Sequence, residues 1–211
     1  MRLSLFILFL AITSVVVGQK RLSEGSLVFS VVTTKKDLPV GDTLIAQHFF
    51  KGAHTRTDLT GVVGRSVTLY DSREGSGAIV REFGSQKILI PLDTSSWSDK
   101  NAWYKASSVS YSSDEQKLLG YACKKASIKL LDGGQLEIWY TPEVVLDNND
   151  TEFQMGDIPG LVLSYAYIID ETRVIYMARS LNFDPVPIQK FEIPNAGGYR
   201  ILSYADSKKQ F

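Results

Sequence analysis

Cysteine occurs once and histidine twice in 211 residues. A lone Cys123 excludes an intramolecular disulfide, so the fold must be held by its core, which in an exported chain suits a bacterial periplasm better than a disulfide-stapled extracellular module. His48 and His54 restrict histidine-based metal binding and catalysis to what two side chains can reach. A charge excess is missing too, with 23 basic residues against 23 acidic ones. Phosphate recognition needs lysine and arginine clustered in excess, so nucleic acid is not expected as a partner. Lys35-Lys36, Lys124-Lys125 and Lys208-Lys209 are pairs rather than a patch and read as solvated surface.

What is present begins with Arg2 and the apolar run Leu3 to Val17, followed by Gly18-Gln19-Lys20. One positive charge, a short apolar stretch and small residues before Gln19 predict a secretory signal peptide over 1–18. An uncleaved anchor is the competing reading, and the run falls short of the ~20 residues that span a bilayer. No cysteine stands at the cleavage point to carry a lipid anchor. The expected mature protein, 19–211, is one soluble domain, periplasmic or extracellular, with 22 basic and 23 acidic residues once Arg2 is removed.

Along that mature chain the hydrophobic period is two. Leu22 to Thr34, Thr43 to Lys51, His54 to Leu59, Arg65 to Tyr70, Ala78 to Phe83 and Gln86 to Leu92 read as strands separated by glycine-rich turns. Asp93 to Tyr104 breaks the pattern, and Asp93-Thr94-Ser95-Ser96 supplies N-caps for a short helix. Strands resume at Ser107 to Tyr111, Leu118 to Leu131, Gln135 to Tyr140, Leu161 to Ile169 and Arg173 to Asp184. Ala126, Ile128 and Leu130 alternate with Ser127 and Lys129, so one side of that strand is buried. Leu161 to Ile169 is apolar on both faces, as a covered central strand would be. Asp206 to Gln210 reads as a frayed polar tail before Phe211. Counting back by twos from Phe211 gives Lys209, Ser207, Ala205 and Ser203, which is no lipid-facing band, so integral membrane insertion is not expected.

Reactive chemistry is sparse. His48 and His54 could meet at the head of a hairpin across Gly52, yet HxH and HExxH spacings are absent. Ser76 in Gly75-Ser76-Gly77 lacks the nucleophile elbow, and Cys123 beside two lysines reads as a structural thiol. Asp147 to Glu152 is rich in oxygen ligands but has Glu152 where a calcium loop needs glycine, and reads as an acidic surface loop. No catalytic residue, cofactor or metal is therefore assigned. A distant alternative, a hydrolase, would require His48 and His54 to converge with Cys123 or a serine in a cleft.

The succession Tyr121-Ala-Cys-Lys-Lys-Ala, Trp139-Tyr-Thr-Pro and Ile158-Pro-Gly-Leu-Val-Leu resembles exported Bacteroidetes proteins of the GLPGLI type, whose name-giving motif here stands as Asp157-Ile158-Pro159-Gly160-Leu161-Val162. It departs at Asp157, Ile158 and Val162, where that motif has Gly, Leu and Ile. With Leu69-Tyr70-Asp71-Ser72, Lys87-Ile88-Leu89-Ile90 and Phe191-Glu192-Ile193-Pro194, the pattern is also similar to LolA-type lipoprotein carriers. That resemblance implies a mainly β (α+β) fold: a single curved antiparallel sheet, an open half-barrel of about ten or eleven strands, with one or two short helices on its concave side. A concave apolar face can bury an acyl chain or apolar peptide. Val31, Phe49, Val67, Leu69, Ile88, Ile90, Ile128, Ile138, Leu161 and Leu163 are the candidate lining residues, unless they form a closed core beneath the helix. The expected function is binding a lipid, lipoprotein or apolar peptide. The alternative is an interaction module for an outer-membrane or other envelope protein, working through a strand edge or the Asp147 to Glu152 loop.

Overall fold

The period-two runs become strands in the computed structural model, which describes residues 18–36, 38–39, 43–102, 106–131, 133–148, 155, 158–169, 171–195 and 197–210. All of the expected signal peptide except Gly18 lies outside those residues, as do Asn149 to Gln154 and Phe211. The strands are β1 (Lys20–Leu22), β2 (Glu24–Lys35), β3 (Leu38–Pro39), β4 (Leu44–Lys51), β5 (His54–Gly61), β6 (Gly64–Asp71), β7 (Ser76–Phe83) and β8 (Gln86–Asp93). After helix α1 (Thr94–Lys100) come β9 (Ala106–Leu118), β10 (Tyr121–Leu130), β11 (Gln135–Thr141), β12 (Val144–Leu146), β13 (Leu161–Ile169) and β14 (Thr172–Asn182). A 3-10 turn (Ile188–Phe191), β15 (Arg200–Ile201) and helix α2 (Tyr204–Ser207) complete the chain.

One sheet of 13 strands runs in the order β15-β8-β7-β6-β5-β4-β2-β14-β13-β11-β10-β9, with β3 beside β2. Setting aside the two-residue β3 and β15 leaves eleven strands, all antiparallel to their neighbours; β15 joins β8 in parallel and makes the sheet mixed. The order does not close on itself, so this is an open sheet and not a barrel. A separate parallel pair, β1 with β12, packs Leu22, Val144 and Leu146 against Leu27, Phe29, Leu161 and Leu163.

Register assigns the two faces. Phe29 pairs with Ala46, Ala46 with Leu59, Leu59 with Ser66 and Ser66 with Arg81, so these five side chains share one face. The row beside it runs His48, Thr57, Thr68, Ile79 and Ile90. Trp97 of α1 stacks on Tyr70 of the same face, with ring centroids 4.0 Å apart, which puts the helix where it was expected. Asp93 caps that helix by accepting from the Ser96 backbone N–H at 2.7 Å. Met155 and Ile158 cover the same face farther along, over Ile128, Ile138 and Tyr165. Gly160 is required by the tight entry to β13, because a Cβ there would lie 2.1 Å from the Thr141 carbonyl oxygen.

The opposite face carries a strap of C-terminal chain. Val186 donates its backbone N–H to the Glu24 carboxylate, which also holds the Lys51 ammonium. Arg56 donates to the Lys190 carbonyl, Lys190 lies over the Phe49 ring at 4.8 Å, and Phe191 packs on His54. Tyr199 then rests on Val67, Leu69 and Val80, and its hydroxyl donates to Glu82 at 2.7 Å. The chain turns round the β8 edge through β15 and returns to the helix side, where Leu202 and Tyr204 join Trp97, Ile88 and Ile90. Asp206 to Gln210 is thus no frayed tail: α2 is capped by Ser203, Ser207 is buried, and Lys208 reaches Asp99 of α1 at 2.8 Å.

Two further readings change. The turn between β9 and β10 falls at Leu119-Gly120, both at positive φ, inside the run read as one strand from Leu118. Ser112 to Lys117 continues β9, which forms the sheet edge and is exposed on both faces, so no hydrophobic period marked it.

Candidate functional site

Between the helix-covered part of the sheet and the part under Met155 and Ile158 lies a cleft of about 220 Å³. Its floor is the inward row of β4, β5 and β6: Ala46, His48, Thr57, Leu59, Ser66 and Thr68. One wall is Ile79 and Arg81 of β7 with Lys100 of α1, and the other is Tyr165 of β13 with Tyr176 of β14. Six strand spacings separate β7 from β13 along the sheet order, about 29 Å if flat at ~4.8 Å each. Side chains from both lining one small cleft require the sheet to curl around it. The face bearing α1 is therefore concave.

Each polar group of the floor has a sequence cause. In Ser66-Val67-Thr68-Leu69-Tyr70 the alternation sends Ser66, Thr68 and Tyr70 inward and Val67 and Leu69 outward under the strap. The imidazole of His48, only 4% exposed, lies 3.0 Å from the Thr57 hydroxyl through Nδ1 and meets Phe29 edge-on at 5.4 Å. Tyr165 and Tyr176 stack with centroids 4.3 Å apart. Burial is the main influence on Arg81 and draws its guanidinium pKa below the usual arginine value, with neighbouring Tyr204 acting the other way. No aspartate or glutamate is among the described residues lining the cleft.

The ten candidate lining residues divide. Ile88 and Ile90 pack under Trp97, Ile128 and Ile138 under Met155 and Ile158, and Val31, Leu161 and Leu163 with Phe29; all seven lie in clusters of the concave side. Phe49, Val67 and Leu69 belong to the outer face, under Lys190 and Tyr199. All ten are buried, and none contributes to the wall or floor of the cleft, which is lined instead by Ala46, Leu59 and Ile79 together with Ser66, two threonines, His48, Arg81, Lys100 and the two tyrosines. On β6 the inward half is the polar half of the alternation, Ser66 and Thr68, while the apolar half, Val67 and Leu69, faces the strap.

The groups required of a hydrolase are not brought together. His48 faces the cleft, whereas His54 lies on the outer face with Nδ1 3.1 Å from Asp71. Cys123 is buried in the cluster containing Leu27 and Leu161, and burial pushes its thiol up to about 11. Trp139 packs against that same cluster, with Lys125 over its ring at 5.9 Å. Asp147 pairs with Arg21 at 2.5 Å, Asn148 donates to the Gly52 and Ala53 carbonyls, and no group of three metal-ligating side chains occurs among the described residues. No helix among the described residues is long and apolar enough to cross a membrane.

No family model and no curated relative matches the chain. Solved structures do. PNGF-II aligns with a TM-score of 0.51 and 14% identity over 88% of this chain, which spans only 32% of the length of PNGF-II. An uncharacterized conserved protein from Thermus thermophilus gives 0.51 and 8%, covering 84% of this chain and 90% of its own. The LolA superfamily protein NE2245 from Nitrosomonas europaea gives 0.38 and 10%, covering 82% and 91%. At such identities the likeness is one of fold alone.

Proposed function

We propose that this is an exported, non-enzymatic binding protein that carries or senses a lipid or other apolar ligand in the concave side of its sheet. The observation that supports it is the cleft itself: a curled sheet leaves about 220 Å³ between two covered regions, walled by a stacked tyrosine pair. Concave sites with apolar walls and a few convergent polar groups are where small ligands bind. The concave-side residues Val31, Ile88, Ile90, Ile128, Ile138, Leu161 and Leu163 then serve as the packed surround that fixes the cleft's shape. Cleavage before Gln19, periplasmic residence and kinship with the GLPGLI type belong to the same reading and rest on the N-terminal run and on the motif from Gly120 to Leu163.

Native mass spectrometry of the protein purified from its own envelope tests both parts. The expected spectrum shows a polypeptide starting at Gln19 with a small apolar species bound, released on denaturation. A polypeptide retaining residues 1–18 overturns export by cleavage, and ligand-free protein that takes up no added apolar compound overturns the binding role. Docking of an envelope protein is the second reading, and β9 offers it a 13-residue sheet edge. Its Ser112-Ser113-Asp114-Glu115-Gln116-Lys117 stretch has the polar, charged composition that keeps edges from pairing, which favours the cleft.

A further inference from the structure

The hairpins that meet at one end of the open sheet hold apolar side chains out in solvent. There β5 passes to β6 through Val62-Val63, β7 to β8 just after Phe83, β10 to β11 at Leu131 and β13 to β14 just after Ile168, while Leu38 of β3 lies beside the end of β2. All six of these side chains are exposed, Val62 by 81% and Val63 by 77%. The opposite end differs. Its hairpins, β4 to β5, β6 to β7 and β9 to β10, carry Leu119 alone among the described exposed large apolar residues. We propose that the first end docks on a lipid surface, with these turn tips entering the headgroup region.

Local structure does not call for such residues. A two-residue hairpin loop favours glycine, asparagine or aspartate, so Val62 and Val63 between Gly61 and Gly64 meet no requirement of the turn. The tips are also far apart in the sheet, nine strand spacings from β8 to β10, about 43 Å if flat at ~4.8 Å each. A protein partner is held by a contiguous apolar core inside a polar rim. Separate tips on separate turns suit a fluid apolar medium, which closes round each one and holds in proportion to the apolar area it takes up. Charges beside the tips are paired within the protein: Lys35 with Glu171 at 3.7 Å, Arg65 with Glu82 at 2.7 Å and Arg173 with Glu137 at 2.6 Å. Such pairing favours insertion of apolar area over attraction to anionic headgroups. Leu59 of the cleft floor stands three residues before Val62, within about 10 Å at ~3.3 Å per residue, so the surface met by these turns lies close to the cleft. Docking does not depend on what the cleft holds.

Flotation of the protein with vesicles of phosphatidylcholine and phosphatidylethanolamine tests this. The wild-type protein is expected to float with the vesicles, and added phosphatidylglycerol or high salt to change its binding little. Val62→Ser with Val63→Ser should weaken vesicle binding about tenfold or more, and Leu131→Ser provides the same comparison at a different turn if that variant fails to fold. Ile188→Ser, at an exposed apolar residue of the C-terminal strap, should leave binding unchanged. Wild-type protein that stays with the aqueous phase, or Val62 and Val63 variants that float as the wild type does, overturns the proposal. Self-association without vesicles, lost in the same variants, also overturns it and assigns this end to a second copy of the chain. The binding role of the cleft stands or falls separately, by its own ligand.

Discussion

Cys123 shows how a residue's surroundings decide its chemistry. It is 1% exposed, and burial raises its pKa to about 11, so almost no thiolate exists at neutral pH. Reaction of the native protein with a disulfide reagent should be slower by orders of magnitude than that of the denatured chain; comparable rates would mean that the thiol is accessible. The neighbouring lysines do not offset burial: Lys124 is exposed, and Lys125 leans over Trp139. His48 and His54 lie six positions apart, but on antiparallel strands where His54 pairs with Lys51 and His48 with Thr57. Alternation therefore places them on opposite faces, a consequence of register that residue spacing across Gly52 did not convey. Which alternating half faces the hollow was equally hidden, because Val67 and Leu69 are as buried under the strap as Ile88 and Ile90 are under α1.

Elements differ in how plainly they could be read. Strands β4 to β8 follow hydrophobic alternation to within two residues, and α1 starts immediately after Asp93, its cap. The C-terminal strap has no period, since long-range partners hold it: Glu24 for Val186, Arg56 for Lys190 and Glu82 for Tyr199. The pKa of Glu24 is lowered chiefly by its hydrogen bond to Lys51 and then by Val186, and that of Glu82 by Arg65 and then by Tyr199. Each contributes stability present above the ordinary value of 4.5 and lost as pH falls through its lowered folded value. Limited proteolysis followed against pH should therefore cut the segment 183–199 increasingly below 4.5. Protection lost well above that pH, or fully retained in strong acid, contradicts the linkage. Helix α1 depends on Trp97, 4% exposed and stacked on Tyr70. Trp97→Ala should cost about 3–5 kcal/mol in chemical denaturation, whereas an unchanged midpoint would show that the stack is not structural.

At the scale of the molecule, one open sheet is covered on its outside by its own C-terminal strap and on its inside by α1, by α2 and by the chain before β13. Among the described residues the cleft lies where these coverings leave the concave side open, so the coverings define the site as much as the strands do. The curl that creates it depends on the sum of twists across seven strands from β7 to β13, which no local pattern encodes. The most direct measurement is a titration with octanol followed by NMR of protein labelled in its tyrosine rings. Saturating shifts are predicted at Tyr165 and Tyr176, with Tyr199 on the outer face and Tyr111 on the edge strand unmoved. Shifts confined to Tyr199 or Tyr111, or absent from the Tyr165 and Tyr176 pair at saturating ligand, would contradict binding in the cleft.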